Sequence, residues 1–128
     1  MIVSRILPGE DLKSSLQDII DFNGVKSGII ICMVGSITNG ALRMANGDKK
    51  IFKGPFEIVS CEGTISNSGV HVHIAIADAD GAVYGGHLLK GCNVYTTAEI
   101  GIIETRIEFE RVYDPKTGYK ELFVQDEQ

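Results

Sequence analysis

At 128 residues the chain has the length of one domain, and 44% apolar with 23% charged residues is an ordinary globular balance. A net charge of −5 argues against a surface built to neutralise nucleic-acid phosphates. The longest apolar run, Ile29 to Val34, is too short to span a bilayer. The opening "MIVSRILPGEDL" lacks the basic start and long apolar middle of a signal peptide, so the expected compartment is the cytoplasm, with no membrane partner.

A short strand is expected over Ile2 to Leu7, broken by Pro8-Gly9. Leu12, Leu16, Ile19 and Ile20 then recur at helical spacing, with Glu10 and Asp11 at the positive end and Gly24 as the stop. From Gly28 the pattern changes to strands. "GIIICMVGSI" is a near-continuous apolar run, as expected of a strand buried on both faces. Asn39-Gly40 and Asn46-Gly47 read as turns on either side of a short strand "ALRMA". "KKIFKG" and "PFEIVSCEGTIS" follow as strands, the second ended by Asn67-Ser68-Gly69. After the histidine hairpin come "NVYTTAEIGIIE", "TRIEFERVY", the turn "DPKTG" and a closing strand "YKELFV". The tail, residues 123–128, is expected to fray. The whole reads as a single α+β unit over residues 1–128: mostly antiparallel strands with one N-terminal helix packed on the sheet.

Three cysteines, Cys32, Cys61 and Cys92, are widely spaced with no C-x-x-C pair, which excludes a zinc ribbon or thioredoxin-like motif. Cys32 and Cys61 read as small core residues. The only basic concentration, Arg43, Lys49, Lys50 and Lys53, falls around a hairpin and reads as a solvated turn. There is no Walker A loop, G-x-G-x-x-G or G-x-S-x-G.

Every histidine lies in "VHVHIAIADADGAVYGGH": His71, His73 and His87. On a strand, His71 and His73 share a face roughly 7 Å apart, while Val70, Val72, Ile74 and Ile76 point to the core. A three-residue loop Ala79-Asp80-Gly81, with Gly81 left-handed, pairs Asp78 with Ala82 and sets His73 directly opposite His87. Cross-strand Cβ atoms are then about 5 Å apart, and all three imidazoles share one face. A two-residue loop Asp80-Gly81 would turn His87 to the core instead. The first register also puts Tyr84 and Leu88 on the apolar side, so it is the self-consistent one. A bulge at Gly85-Gly86 would break it.

Three histidines on one face suit one zinc ion, with a fourth position for water or a carboxylate. The alternative is a polar strand face whose histidines only form hydrogen bonds. Glu99, in "TTAEIG", is the candidate fourth ligand or outer partner of the metal.

The runs "GSITNGALRM", "PFEIVSCEGTIS" and "HVHIAIADADGAVYGGHLLKGCNVYTTAEIGI" resemble the plants and prokaryotes conserved (PPC) domain, above all in "DGAVYGGHLL". In plants that domain follows AT-hook segments. No "RGRP" occurs here, so the chain resembles the free-standing prokaryotic form, often labelled DNA-binding. The resemblance implies a curved antiparallel sheet, a homotrimer and a metal-binding H-x-H…H set matching His71, His73 and His87. It also implies kinship with the acetolactate decarboxylase fold.

Three functions follow. The first is a zinc-binding homotrimer with one ion per subunit and a regulatory or DNA-associated role. The second is a zinc enzyme acting on a small carbonyl or ester ligand, with Glu99 as base and Arg43 as substrate anchor. The third is direct DNA binding through the basic hairpin, which the charge opposes.

Overall fold

A computed structural model describes residues 1–125. Its elements are β1 (Ile2–Ile6), α1 (Leu12–Asn23), β2 (Gly28–Arg43), β3 (Lys49–Ser66), β4 (Gly69–Ala77), β5 (Val83–Leu88), β6 (Val94–Glu104), β7 (Phe109–Asp114) and β8 (Tyr119–Val124). The first six strands form one antiparallel sheet in the order β1-β6-β2-β3-β4-β5, and β7 and β8 form a separate hairpin. This is the expected α+β class.

The helix forms where its spacing predicts. Leu12, Leu16 and Ile20 are buried on one face, and Gly24 closes it in the left-handed region at φ 65°. Asp11 is the N-cap. One carboxylate oxygen accepts from the Ser14 N–H at 2.9 Å, and the other accepts from the Gly91 N–H at 2.7 Å. The same side chain therefore starts the helix and ties it to the segment between β5 and β6.

The sheet closes on itself. Besides pairing with β3 and β6, the end of β2 pairs with β5 through Leu42–Leu88 and Arg43–His87. Strands β2 to β5 thereby curl into a small barrel packed with Ile37, Leu42, Phe56, Ile76 and Leu88. Gly86 permits the closure: a Cβ there would stand 2.7 Å from the Arg43 carbonyl oxygen. Register shifts between Ile37 and Asn39, and between Ile58 and Ser60, supply the bending.

Three sequence expectations are corrected. Asn39-Gly40 is no turn: it lies inside β2, beside a bulge, because pairing with β3 continues from Asn39–Lys53 to Arg43–Lys49. Ala41 to Arg43 of "ALRMA" accordingly belong to β2, with Met44 and Ala45 in the turn that follows, and "KKIFKG" runs on into "PFEIVSCEGTIS" as β3. Nor is β2 buried on both faces. Ile30 and Met33 are buried, but Ile29, Ile31 and Val34 are 42, 41 and 63% exposed, since the described residues cover only one face of β2 there. Cys32 is exposed on that strand rather than in the core; Cys61 and Cys92 are buried.

The β7–β8 hairpin is anchored at its root. The Ser27 hydroxyl accepts from the Phe109 N–H at 3.2 Å and donates to the Phe109 carbonyl at 3.3 Å. Phe123 and Val124, two residues of the stretch expected to fray, pair with Glu110 and Phe109. The rest of that expectation, residues 126–128, lies outside the described residues. No helix among the described residues is long and apolar enough to cross a membrane.

Candidate metal centre

The histidine register rests on one turn. The Asp78 N–H donates to the Ala82 carbonyl at 2.9 Å, and the Asp78 carboxylate accepts from the Asp80 and Ala82 N–H groups, each at 2.9 Å. Gly81 takes φ 83°. This three-residue loop pairs Ala77 with Val83, and without interruption His73 with His87. Gly85-Gly86 carries no bulge.

The three imidazoles meet. Ring centroids are 5.0 Å apart for His71–His73, 5.2 Å for His71–His87 and 5.9 Å for His73–His87. One ring nitrogen from each lies within 4.8 Å of the others. A tetrahedral zinc with nitrogens at about 2.0–2.1 Å needs them roughly 3.4 Å apart, within reach of small side-chain rotations.

The electrostatics suit a cation ligand set. Burial, then the Arg43 charge, brings the His87 pKa down to about 4, and its Nδ1 is buried without a hydrogen-bond partner among the described residues. Burial, then the Arg111 charge, also lowers His71 below the usual imidazole range. Both shifts favour the neutral imidazole, the form that binds a metal. A buried, orphaned nitrogen is otherwise costly, which is the observation that fits these residues to a metal ion.

Cross-strand pairing extends the site in both directions. Glu62 of β3 lies opposite His73, His73 opposite His87, and His87 opposite Arg43 of β2, so four strands contribute one continuous row. The hairpin covers the row. Arg111 of β7 donates from Nη1 to His71 Nδ1 at 2.8 Å, and from Nη2 to the Lys120 carbonyl. With Tyr119 and Glu121 of β8 it walls a cavity of about 450 Å³ that the three histidines and Arg43 also line. The Arg43 guanidinium sits 5.7 Å from the Tyr119 ring centroid, in cation–π geometry.

The structure puts His71, His73, His87 and Arg43 on this one cavity. Glu99 is elsewhere. It lies on β6 opposite Val34 and Arg5, exposed, with the Thr97 hydroxyl 3.2 Å from its carboxylate. In the sheet, β2 and β3 separate β6 from β4. Among the described residues, Glu62 and Glu121 are the carboxylates that share a cavity lining with these histidines. Glu62 could have been counted across the Asn67-Ser68 turn from His73; nothing local in the sequence marks Glu121, Arg111 or Tyr119.

Residues 1–106 match the family model of the Plants and Prokaryotes Conserved (PCC) domain. The hairpin that roofs the cavity lies beyond that match. The chain is 39% identical over 123 residues to the bifunctional protein GlmU of Synechococcus sp. (strain JA-3-3Ab), covering 94% of this chain and 20% of that protein. It thus spans about a fifth of the length of the curated relatives it matches. A protein from Salmonella cholerae-suis superposes with TM-score 0.92 at 34% identity, over 99% of this chain and 94% of its own. A candidate DNA-binding protein from Bacteroides thetaiotaomicron gives TM-score 0.86 at 26% identity, over 96 and 91%. A metal-containing protein from Archaeoglobus fulgidus shares the fold at 24% identity and TM-score 0.75, over 95 and 91%. With most of its length inside the family model and a near-complete structural relative at this identity, the chain belongs to the plants and prokaryotes conserved domain family.

Proposed function

We propose that this chain is a metal-binding protein that holds one divalent ion, zinc, on His71, His73 and His87, and assembles as a homotrimer in a regulatory role. The observation that carries the metal reading is the orphaned His87 Nδ1 within a cluster of three converging ring nitrogens. Three converging imidazole nitrogens with room for a fourth ligand match the ligand chemistry of zinc. Glu121 and Glu62 are the carboxylates available to complete the shell or to orient it. The metal-containing neighbour from Archaeoglobus fulgidus agrees with this reading.

Assembly is supported by the uncovered apolar face. Ile29 pairs with Ile103, and both are exposed, beside exposed Ile31 and Val34. A patch of this kind on a sheet is what a second copy covers. The number three comes from the family resemblance.

A role near DNA, as the labels of family neighbours suggest, would run through a partner. Arg43 is turned into the cavity, which leaves Lys49, Lys50 and Lys53 as the outward basic residues of the β2–β3 turn, on a chain of net charge −5.

One observation favours a second reading, a zinc enzyme acting on a small carbonyl or ester compound: the cavity of about 450 Å³ opens directly onto the histidines and is flanked by arginines. A bound zinc ion would supply Lewis acidity there. The chain's own residues would exclude water, through the hairpin, and orient the ligand, through Arg43. Metal analysis of the purified protein tests the first claim. One zinc per chain, lost in His73→Ala, is the expected result; no retained metal after reconstitution overturns it.

A further inference from the structure

We propose that the hydrogen bond from Arg111 to His71 and a metal bond to His71 exclude each other, so that metal binding releases the Arg111 guanidinium to hold a small oxyanion in the cavity. This rests on the metal reading above.

The argument is one of lone pairs. Arg111 Nη1 stands 2.8 Å from His71 Nδ1. A guanidinium has only donors and stays protonated, so Nδ1 must be the acceptor. A neutral imidazole has one in-plane lone pair, and its other nitrogen then carries the proton. If a metal binds through Nδ1, it takes the place Arg111 occupies. If it binds through Nε2, the proton must move to Nδ1, where it would point at an Arg111 N–H. Donor then faces donor. Whichever nitrogen ligates, the two bonds cannot coexist. A metal-bound histidine ordinarily donates its second N–H to an acceptor, and arginine cannot be one.

The displaced guanidinium remains at the cavity. Arg111 is still tethered to β8 by its bond to the Lys120 carbonyl, and the hairpin is still pinned at Ser27 and Phe109. The wall then carries Arg111, Arg43 and the metal ion against one hairpin carboxylate, Glu121, whose Oε1 already accepts from the Thr117 hydroxyl at 3.1 Å. That surplus of positive charge suits a ligand with a carboxylate or phosphate group, and the planar fork of arginine matches both. Metal and anion should therefore bind cooperatively, each raising the affinity of the other.

The test has three readouts. In the metal-free protein, ring ¹⁵N NMR should show His71 with its proton on Nε2 and an accepting Nδ1; the opposite tautomer overturns the proposal. In chelator competition, Arg111→Met should bind zinc about tenfold more tightly than the parent, the scale of one lost charged hydrogen bond. Equal or weaker zinc binding by the variant overturns the exclusion while leaving the metal site intact. No zinc binding by either protein overturns the metal reading, and this inference with it, whatever the tautomer. Finally, acetate and inorganic phosphate are titrated calorimetrically into metal-free and zinc-loaded protein. One of them should bind the zinc-loaded form at least tenfold more tightly and lose that gain in Arg111→Met; which one identifies the ligand group. Anion affinity indifferent to zinc overturns the release of Arg111.

Discussion

Arg43 is the direct cross-strand neighbour of His87 at the point where the barrel closes. Its charge adds to burial in holding His87 deprotonated, down to a pKa of about 4. Replacing Arg43 with Met should raise the His87 pKa toward the ordinary value, while burial keeps it below. NMR titration of the metal-free protein checks this. An unmoved His87 would show that burial alone sets its charge.

The three histidines should act as a set. Loss of an outer-shell partner typically costs 10–100-fold in metal affinity, and loss of a ligand should exceed about 100-fold. His71→Ala, His73→Ala and His87→Ala are each expected to cross that line in chelator competition. Unchanged zinc stoichiometry and affinity in His73→Ala contradict the site.

Asp11 links helix and barrel, and it predicts an acid-dependent stability. Burial pushes its pKa up, but the Ser14 and Gly91 N–H groups outweigh this and hold it below the ordinary value. A depressed carboxylate contributes stability that is complete above its unfolded pKa, near 3.8, and is lost as pH falls through the lower folded value. Asp11→Ala should cost about 1–2 kcal/mol at neutral pH. Its acid unfolding limb should also be shallower than the parent's. A parent-like denaturant midpoint would deny the cap its role.

The proposed assembly would place the exposed side of β2 against another copy. Light scattering at micromolar concentration should give three times the chain mass. Ile29→Lys should shift it toward one, because a lysine paired opposite Ile103 puts charge into the apolar patch. A monomeric parent refutes the assembly.

Duplex DNA should bind weakly or not at all in anisotropy titrations at about 150 mM salt. Three lysines per chain near one turn supply few phosphate contacts, and affinity falls with salt in proportion to their number. Sub-micromolar binding abolished by Lys49→Glu/Lys50→Glu would reverse this reading.

What the sequence determined by itself was local. Helix α1 was legible because its apolar spacing, the Asp11 cap and Gly24 all act within a few residues of one another. The histidine pairing was legible because hairpin register is counted outward from a turn, and Asp78 with Gly81 specifies that turn. Tertiary structure alone decided which strands became neighbours. Glu99 lies a short way beyond His87 along the chain, yet β6 pairs with β1 and β2, and its carboxylate stands apart from the imidazoles. Arg43, Arg111 and Glu121 reach the site from β2, β7 and β8. The reason is physical. Turn chemistry acts on adjacent residues, whereas the closure of β2 on β5 and the seating of the hairpin are set by burying apolar faces that lie far apart in sequence. No local signal reports how those faces meet.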